Sequence, residues 1–296
     1  MHCMKKLFQN YFLPLLIGLG ICIGLISPII YYALLRIFVV GIYPVPSDSM
    51  QPAIIPGDVI LVNKLKFGPR TFKNLDFLDC DTIPVDNIRF KGYGHIERND
   101  VVVFNYPYAD SWSKARFNYK EIFVKRCLGL PGDTIRIENG FYKVAGYDKI
   151  LGNQENQFRL SQFPDEILNT IPGNRRKNGW TVKNYGPLYI PKAGDTISLD
   201  FLNREYYTRI IEWETGGQIT SENGVYYLNG EIISQYTVQH SYYFMAGDKV
   251  SNSRDSRFWG LLQEEYIIGE APLILYSKDT WSGHLRMDRI LKSISL

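Results

Sequence analysis

The sequence predicts a mainly β protein: an antiparallel, barrel-like core interrupted by an inserted β-rich subdomain and preceded by one N-terminal transmembrane helix. Three observations carry this expectation. Four short turns, Pro56-Gly57-Asp58, Pro131-Gly132-Asp133, Ala193-Gly194-Asp195 and Ala246-Gly247-Asp248, punctuate the chain, and three of them run straight into strand-like residues. The composition is 45% hydrophobic and 14% aromatic with 21 tyrosines, whereas a chain without a packed core is poor in aromatics and dominated by net charge. Finally, Leu7 to Leu35 contains no charged residue and is dominated by Leu, Ile, Gly and Phe.

That apolar run is long enough for one span, since roughly 20 apolar residues cross the hydrocarbon core. Splitting it near Ser27-Pro28 into two helices places Arg36 at mid-membrane, which is costly. A cleavable leader has an apolar region of only about 7–15 residues and a small-x-small site, and neither fits. Lys5 and Lys6 precede the run and Arg36 alone follows it closely, so the basic bias puts the N-terminus in the cytoplasm and the rest outside. Residues 1–35 are therefore read as a short tail and an anchor, with membrane lipid as a partner and Tyr31-Tyr32 at the far interface.

Residues 36–138 form the first part of the core. Prolines 44, 46, 52 and 56 fix φ and remove backbone donors, so the chain around Ser49 runs as extended segments and turns. Val59 to Val62, Val101 to Phe104, Ile122 to Arg126, Thr134 to Ile137, Thr196 to Leu199, Val225 to Leu228 and Ile267 to Glu270 read as strands, with Asn229-Gly230 a hairpin turn. The glycine spacings are too irregular for a solenoid. Lys64 to Arg98 lacks periodicity and reads as a long loop or insertion. Residues 139–240, polar and tyrosine-rich, are the inserted subdomain, and 241–296 complete the core.

The net charge of +3 is too small for a nucleic-acid footprint, so no such partner is expected. Cys3, Cys22, Cys80 and Cys127 fall at no metal-ligand spacing, so free thiols and no metal are expected; only Cys80 and Cys127 could share an oxidising compartment.

A loop serine becomes a nucleophile only if a base reaches it. In Phe123-Val124-Lys125-Arg126-Cys127-Leu128, alternation places Phe123, Lys125 and Cys127 on one face and Val124, Arg126 and Leu128 on the other. One of the two basic residues then points toward an apolar side, where burial lowers a lysine's affinity for its proton. On pattern alone the commoner outcome is a lysine that snorkels to solvent from an edge strand.

Four ordered boxes weigh against that outcome: Ser47-Asp48-Ser49-Met50-Gln51-Pro52 with Gly57-Asp58; Arg98-Asn99-Asp100-Val101-Val102-Val103-Phe104; Phe123 through Asp133; and Gly247-Asp248 through Gly260. Together with the preceding anchor they resemble bacterial type I signal peptidases, membrane serine peptidases with a Ser/Lys dyad. The resemblance implies Ser49 as nucleophile, Lys125 as general base, and the Ser47 hydroxyl with the Ser49 backbone N–H as oxyanion hole. It further implies Ser253 as the hydrogen-bond partner of the lysine, an Asp255–Arg257 supporting salt bridge, and a substrate groove lined by Val45, Pro46, Met50, Phe123 and Val124. The implied substrates are exported precursors carrying signal peptides; the implied place is the bacterial cytoplasmic membrane with the catalytic part on its outer side; no cofactor is implied. Asn99 stands where the family has glycine, and Lys249-Val250 where it has Asn-Arg. Three other readings stay open: a Ser-His-Asp hydrolase using His2, His95, His240 or His284, a self-cleaving Ser/Lys protease cutting at Ala145-Gly146, and a tethered non-catalytic scaffold.

Overall fold

The computed structural model describes residue 24 and residues 26–72, 87–108, 115, 120–171, 178–200 and 202–294. Most of the expected span, with His2, Cys3 and Cys22, lies outside the described residues, as does Cys80. Among the described residues no helix is long and apolar enough to cross a membrane. The helical residues up to Leu34 continue into a π turn, Leu35–Val39, with Ile29, Tyr31 and Tyr32 exposed.

The chain then enters β1 (Val40–Pro44) and, after the proline-bounded loop, β2 (Asp58–Asn63). A small hairpin, β3 (Arg70–Phe72) and β4 (Asn87–Arg89), precedes β5 (Val101–Asn105) and β6 (Ile122–Gly129). Next come β7 (Thr134–Glu138), β8 (Phe141–Val144), α1 (Gln154–Ser161), α2 (Asp165–Thr170), β9 (Tyr185–Tyr189), β10 (Thr196–Ser198) and α3 (Arg204–Thr215). Short strands β11 (Ile219–Glu222), β12 (Val225–Leu228), β13 (Glu231–Ile232) and β14 (Gln235–Thr237) complete the insertion. The core resumes with β15 (Tyr242–Ala246), α4 (Ser256–Trp259), β16 (Leu262–Gln263), β17 (Ile267–Ser277) and β18 (Lys292–Ser293).

The main sheet is antiparallel, in the order β1-β2-β17-β5-β6-β15-β16, with β18 also on β17. It is open, with β1 and β16 at its ends, and register shifts along β17 and between β15 and β6 bend it. Two apolar clusters pack on it, one holding Met50, Ile54, Ile60 and Val103, the other Phe104, Cys127, Trp259 and Tyr266. A third joins Leu128 and Phe244 of the sheet to Ile135, Leu160 and Ile211 of the insertion.

The glycine–aspartate turns follow one local rule. Gly57, Gly132 and Gly194 have φ near +90°, and each following aspartate accepts the N–H three residues before it, from Ile55, Leu130 and Lys192. Asn99-Asp100 is a further copy: Asn99 sits at φ 76° and Asp100 accepts from Glu97, as asparagine tolerates the left-handed region. Gly247 is different. Its φ is not positive; it is glycine because a Cβ there would lie 2.2 Å from Ser253 Oγ and 2.5 Å from Ser49 O.

The expectation of a β-rich insertion needs correcting, because residues 139–240 also carry α1, α2 and α3. In α3, Tyr206, Tyr207, Ile210 and Ile211 are buried on one face and Gly216 ends the helix at φ 67°, an amphipathic pattern and a left-handed stop. The sheet of this segment begins at Thr134, with residue 139 in the β7–β8 turn.

Lys64 to Arg98, read as a loop, clasps the core in its described part. Lys64 donates to the carbonyls of Arg36 and Ile37, Lys66 pairs with both Asp100 and Glu270, and Arg89 binds the carbonyls of Gly68, Glu264 and Ile267.

Candidate active site

Ser49 lies on the turn-rich loop between β1 and β2, which is anchored from beneath and from both flanks. Met50 and Ile54 are fully buried, and Gln51 N–H donates to Asp48 O and Ile54 N–H to Met50 O. At its end Asp58 takes a bidentate pair from Arg289, at 2.9 and 2.6 Å, while Arg289 also donates to Ala53 O. Burial opposes ionisation of Asp58, yet the Arg289 hydrogen bond holds its pKa below the ordinary value.

Lys125 reaches this loop from β6, its Nζ 2.7 Å from Ser49 Oγ and 3.0 Å from Val124 O. The residue is only 4% exposed, and the nitrogen stands 5.4 Å from the centre of the Phe123 ring. Desolvation lowers its pKa from the ordinary 10.5 to about 8; Asp255 and Asp248 push upward and Arg257 downward. Snorkelling is excluded by burial: the ammonium donates to Ser49 Oγ and Val124 O within the fold instead of reaching solvent. Alternation also understated the burial, because Arg126, on the opposite face, is 1% exposed. Its guanidinium grips Asp248 with bonds of 2.7 and 2.6 Å and donates to Asn99 O.

The loop after β15 supplies the third wall. Arg257 holds Asp255 through two 2.8 Å bonds, and Asp255 caps α4 and accepts the Gly247 N–H. Lys249 N–H donates to Ser49 O at 3.0 Å. The Lys249 ammonium pairs with the Asp48 carboxylate, to which Asn252 also donates; the Lys249 hydrogen bond lowers the Asp48 pKa. The departure at Lys249 thus becomes a strap across the serine loop.

A cleft of about 790 Å³ opens over Ser49 and Lys125 and is walled by Val45, Pro46, Phe123 and Val124. Two expectations fail here. Met50 does not line it; its side chain is fully buried with Ile54 and Ile60 in the apolar cluster beneath the loop. Ser253 is buried beside Gly247, but its hydroxyl finds no hydrogen-bond partner among the described residues, Lys125 included. Ser47 Oγ lies 3.4 Å from Ser49 Oγ. None of the described histidines touches the site: His240 pairs with Glu265, and neither His95 nor His284 lines the cleft.

A family model described as signal peptidase, peptidase S26, matches residues 19–276. The chain belongs to this family. Signal peptidase I of Pseudomonas aeruginosa is 30% identical over 255 residues, covering 82% of this chain and 68% of that protein. Signal peptidase I of Buchnera aphidicola subsp. Schizaphis graminum is 28% identical over 274 residues, covering 87% and 76%, and that of Helicobacter pylori strain J99 is 26% identical over 278 residues, covering 90% and 85%. A crystal structure of a signal peptidase I from Enterococcus faecalis aligns with 59% of this chain and 94% of that one, at 18% identity and a TM-score of 0.25. Within this peptidase S26 member, sequence reasoning missed Arg126, Asp248 and Arg289 as buried ion-pair partners. Charged residues in otherwise apolar surroundings, as in Val124-Lys125-Arg126-Cys127, were the available signal.

Proposed function

We propose that the protein is a membrane-tethered serine endopeptidase that removes signal peptides from exported precursors with a Ser49/Lys125 dyad. The observation that carries this is the 2.7 Å approach of a buried lysine nitrogen to a serine hydroxyl at the floor of an apolar cleft. An amine whose pKa lies near 8 is neutral in a useful fraction of molecules at neutral pH. It takes the Ser49 proton as Oγ attacks the scissile carbonyl and returns it to the leaving amine, after which water hydrolyses the acyl-serine. The Ser47 hydroxyl and the Ser49 N–H face the negative charge that develops on the carbonyl oxygen.

An extended substrate has an edge to pair with. On β6, residues Ile122 to Val124 pair with β5 on one side, while β15 pairs only from Arg126 onward; β1 is the sheet's terminal strand. A strand laid there adds main-chain hydrogen bonds and presents alternate side chains to the apolar wall, which favours small residues at the positions one and three before the cut. The N-terminal apolar run holds the cleft at the outer membrane surface with the N-terminus cytoplasmic, so a precursor threaded through the bilayer meets it.

The test is a detergent-solubilised comparison of the wild-type protein with Ser49→Ala and Lys125→Met on a secreted precursor. Cleavage by the wild type alone is expected. Equal behaviour of all three proteins removes the enzyme reading in favour of a scaffold. Self-cleavage at Ala145-Gly146 predicts shortening of the purified protein; that pair lies in the turn after β8, away from the residues that line the cleft.

A further inference from the structure

The two loops that face each other across the dyad are joined by a side chain from outside the catalytic sheet. Asn156, in the first turn of α1 in the inserted segment, donates one amide hydrogen to Gln51 O at 2.9 Å and the other to Asp248 O at 2.8 Å. Gln51 is two residues beyond the nucleophile; Asp248 opens the loop that carries Ser253 and Asp255. The Asp248 carboxylate is held by Arg126, next to Lys125 on β6. Lys249, next along, donates its N–H to Ser49 O. A relative shift of Ser49 and Lys125 therefore has to break either the Asn156 bridge or the Arg126–Asp248 pair. Asn156 itself is fixed: Asn153 caps α1 by accepting the Asn156 N–H at 2.9 Å. The segment is docked a second time where Asn99 bonds Ile150 O and Gly152 N–H.

We propose that Asn156 is a positioning residue for peptide-bond cleavage, and that the inserted segment is part of the catalytic apparatus because it staples the serine loop to the loop bearing Ser253. The inference rests on the Ser/Lys peptidase reading above. Two carbonyl oxygens face one amide, so the chemistry demanded at residue 156 is a double donor. Aspartate has the same shape and no donor. It is also favourable to the helix, being a negative charge in the first turn, so Asn156→Asp separates loop positioning from helix stability.

The experiment measures kcat, KM and thermal unfolding of the full chain in detergent, using an internally quenched peptide with alanine at the positions one and three before the cut. The proteins are wild type, Asn156→Asp, Asn156→Ser and Ser49→Ala. The expected result is a fall in kcat on the order of 10- to 100-fold for Asn156→Asp, with KM within about twofold and the unfolding temperature within a few degrees. Asn156→Ser, which keeps one donor, falls between. A kcat for Asn156→Asp within about twofold of wild type overturns the proposal; so does a loss in both variants that tracks the fraction of unfolded protein. Cleavage by Ser49→Ala strikes the peptidase reading instead.

Discussion

If Lys125 is the base, the rate reports its protonation, and the structure sets the pH at which the profile bends. Burial lowers its pKa from 10.5 to about 8, which at about 1.4 kcal/mol per pH unit is roughly 3 kcal/mol of disfavoured charge. At pH 7 about one molecule in ten then carries the neutral amine, and at pH 9 about nine in ten. The expected kcat/KM rises about tenfold between these values, with unit logarithmic slope below pH 8 and a plateau above pH 9. A solvent-bathed lysine with the ordinary 10.5 gives about a hundredfold rise over the same range, still climbing at pH 10. The assay is cleavage of a quenched peptide with no group titrating between pH 6 and 10. A flat profile from pH 6 to 9 would falsify lysine as the titrating base, and a climb with no bend by pH 10 refutes the burial argument.

Three further outcomes follow from the same geometry. The charge that Lys125 carries below pH 8 costs the fold stability, so Lys125→Met is expected to abolish cleavage yet stabilise the protein at pH 7 by about 1–2 kcal/mol, the lost hydrogen bonds offsetting part of the roughly 3 kcal/mol. Between pH 8 and 10.5 the unfolded lysine binds more proton than the folded one, so wild-type stability rises and the advantage shrinks; a methionine variant that melts earlier at pH 7 contradicts this. Gly247→Ala drives a Cβ into Ser253 Oγ and Ser49 O, and is expected to cut kcat on the order of a hundredfold; undiminished turnover means these loops do not need their close approach. Arg126→Met leaves the Asp248 carboxylate buried and unpaired, at a cost of about 3–5 kcal/mol. Adding Asp248→Leu is expected to recover much of that in the unfolding midpoint, and no recovery in the double variant rules out the ion pair as the cause.

Local chemistry was legible in the chain. Gly57-Asp58, Gly132-Asp133 and Gly194-Asp195 form the same turn because its hydrogen bond closes within four residues, so neighbours alone decide it. Asn99 follows the rule because its side chain tolerates the same backbone angle. The proline-bounded loop around Ser49 and the strand that follows it were fixed in the same way, by residues that restrict their own backbone. The insertion's helices were missed although α3 shows an apolar face and a glycine stop, since many tyrosines read equally well as strand.

The sequence by itself determined where the chain turns, which stretches extend, and that a serine sits on a stiff bend and a lysine on an apolar strand. Only the tertiary structure decided that these two groups meet, 76 positions apart. It also decided that Arg126 finds Asp248 across 122 positions and Arg289 finds Asp58 across 231, that Met50 packs inward, and that Asn156 bridges two loops. The physical reason is that a lysine's pKa and a buried charge's partner depend on what the whole fold removes from water around them. No window of neighbouring residues contains that.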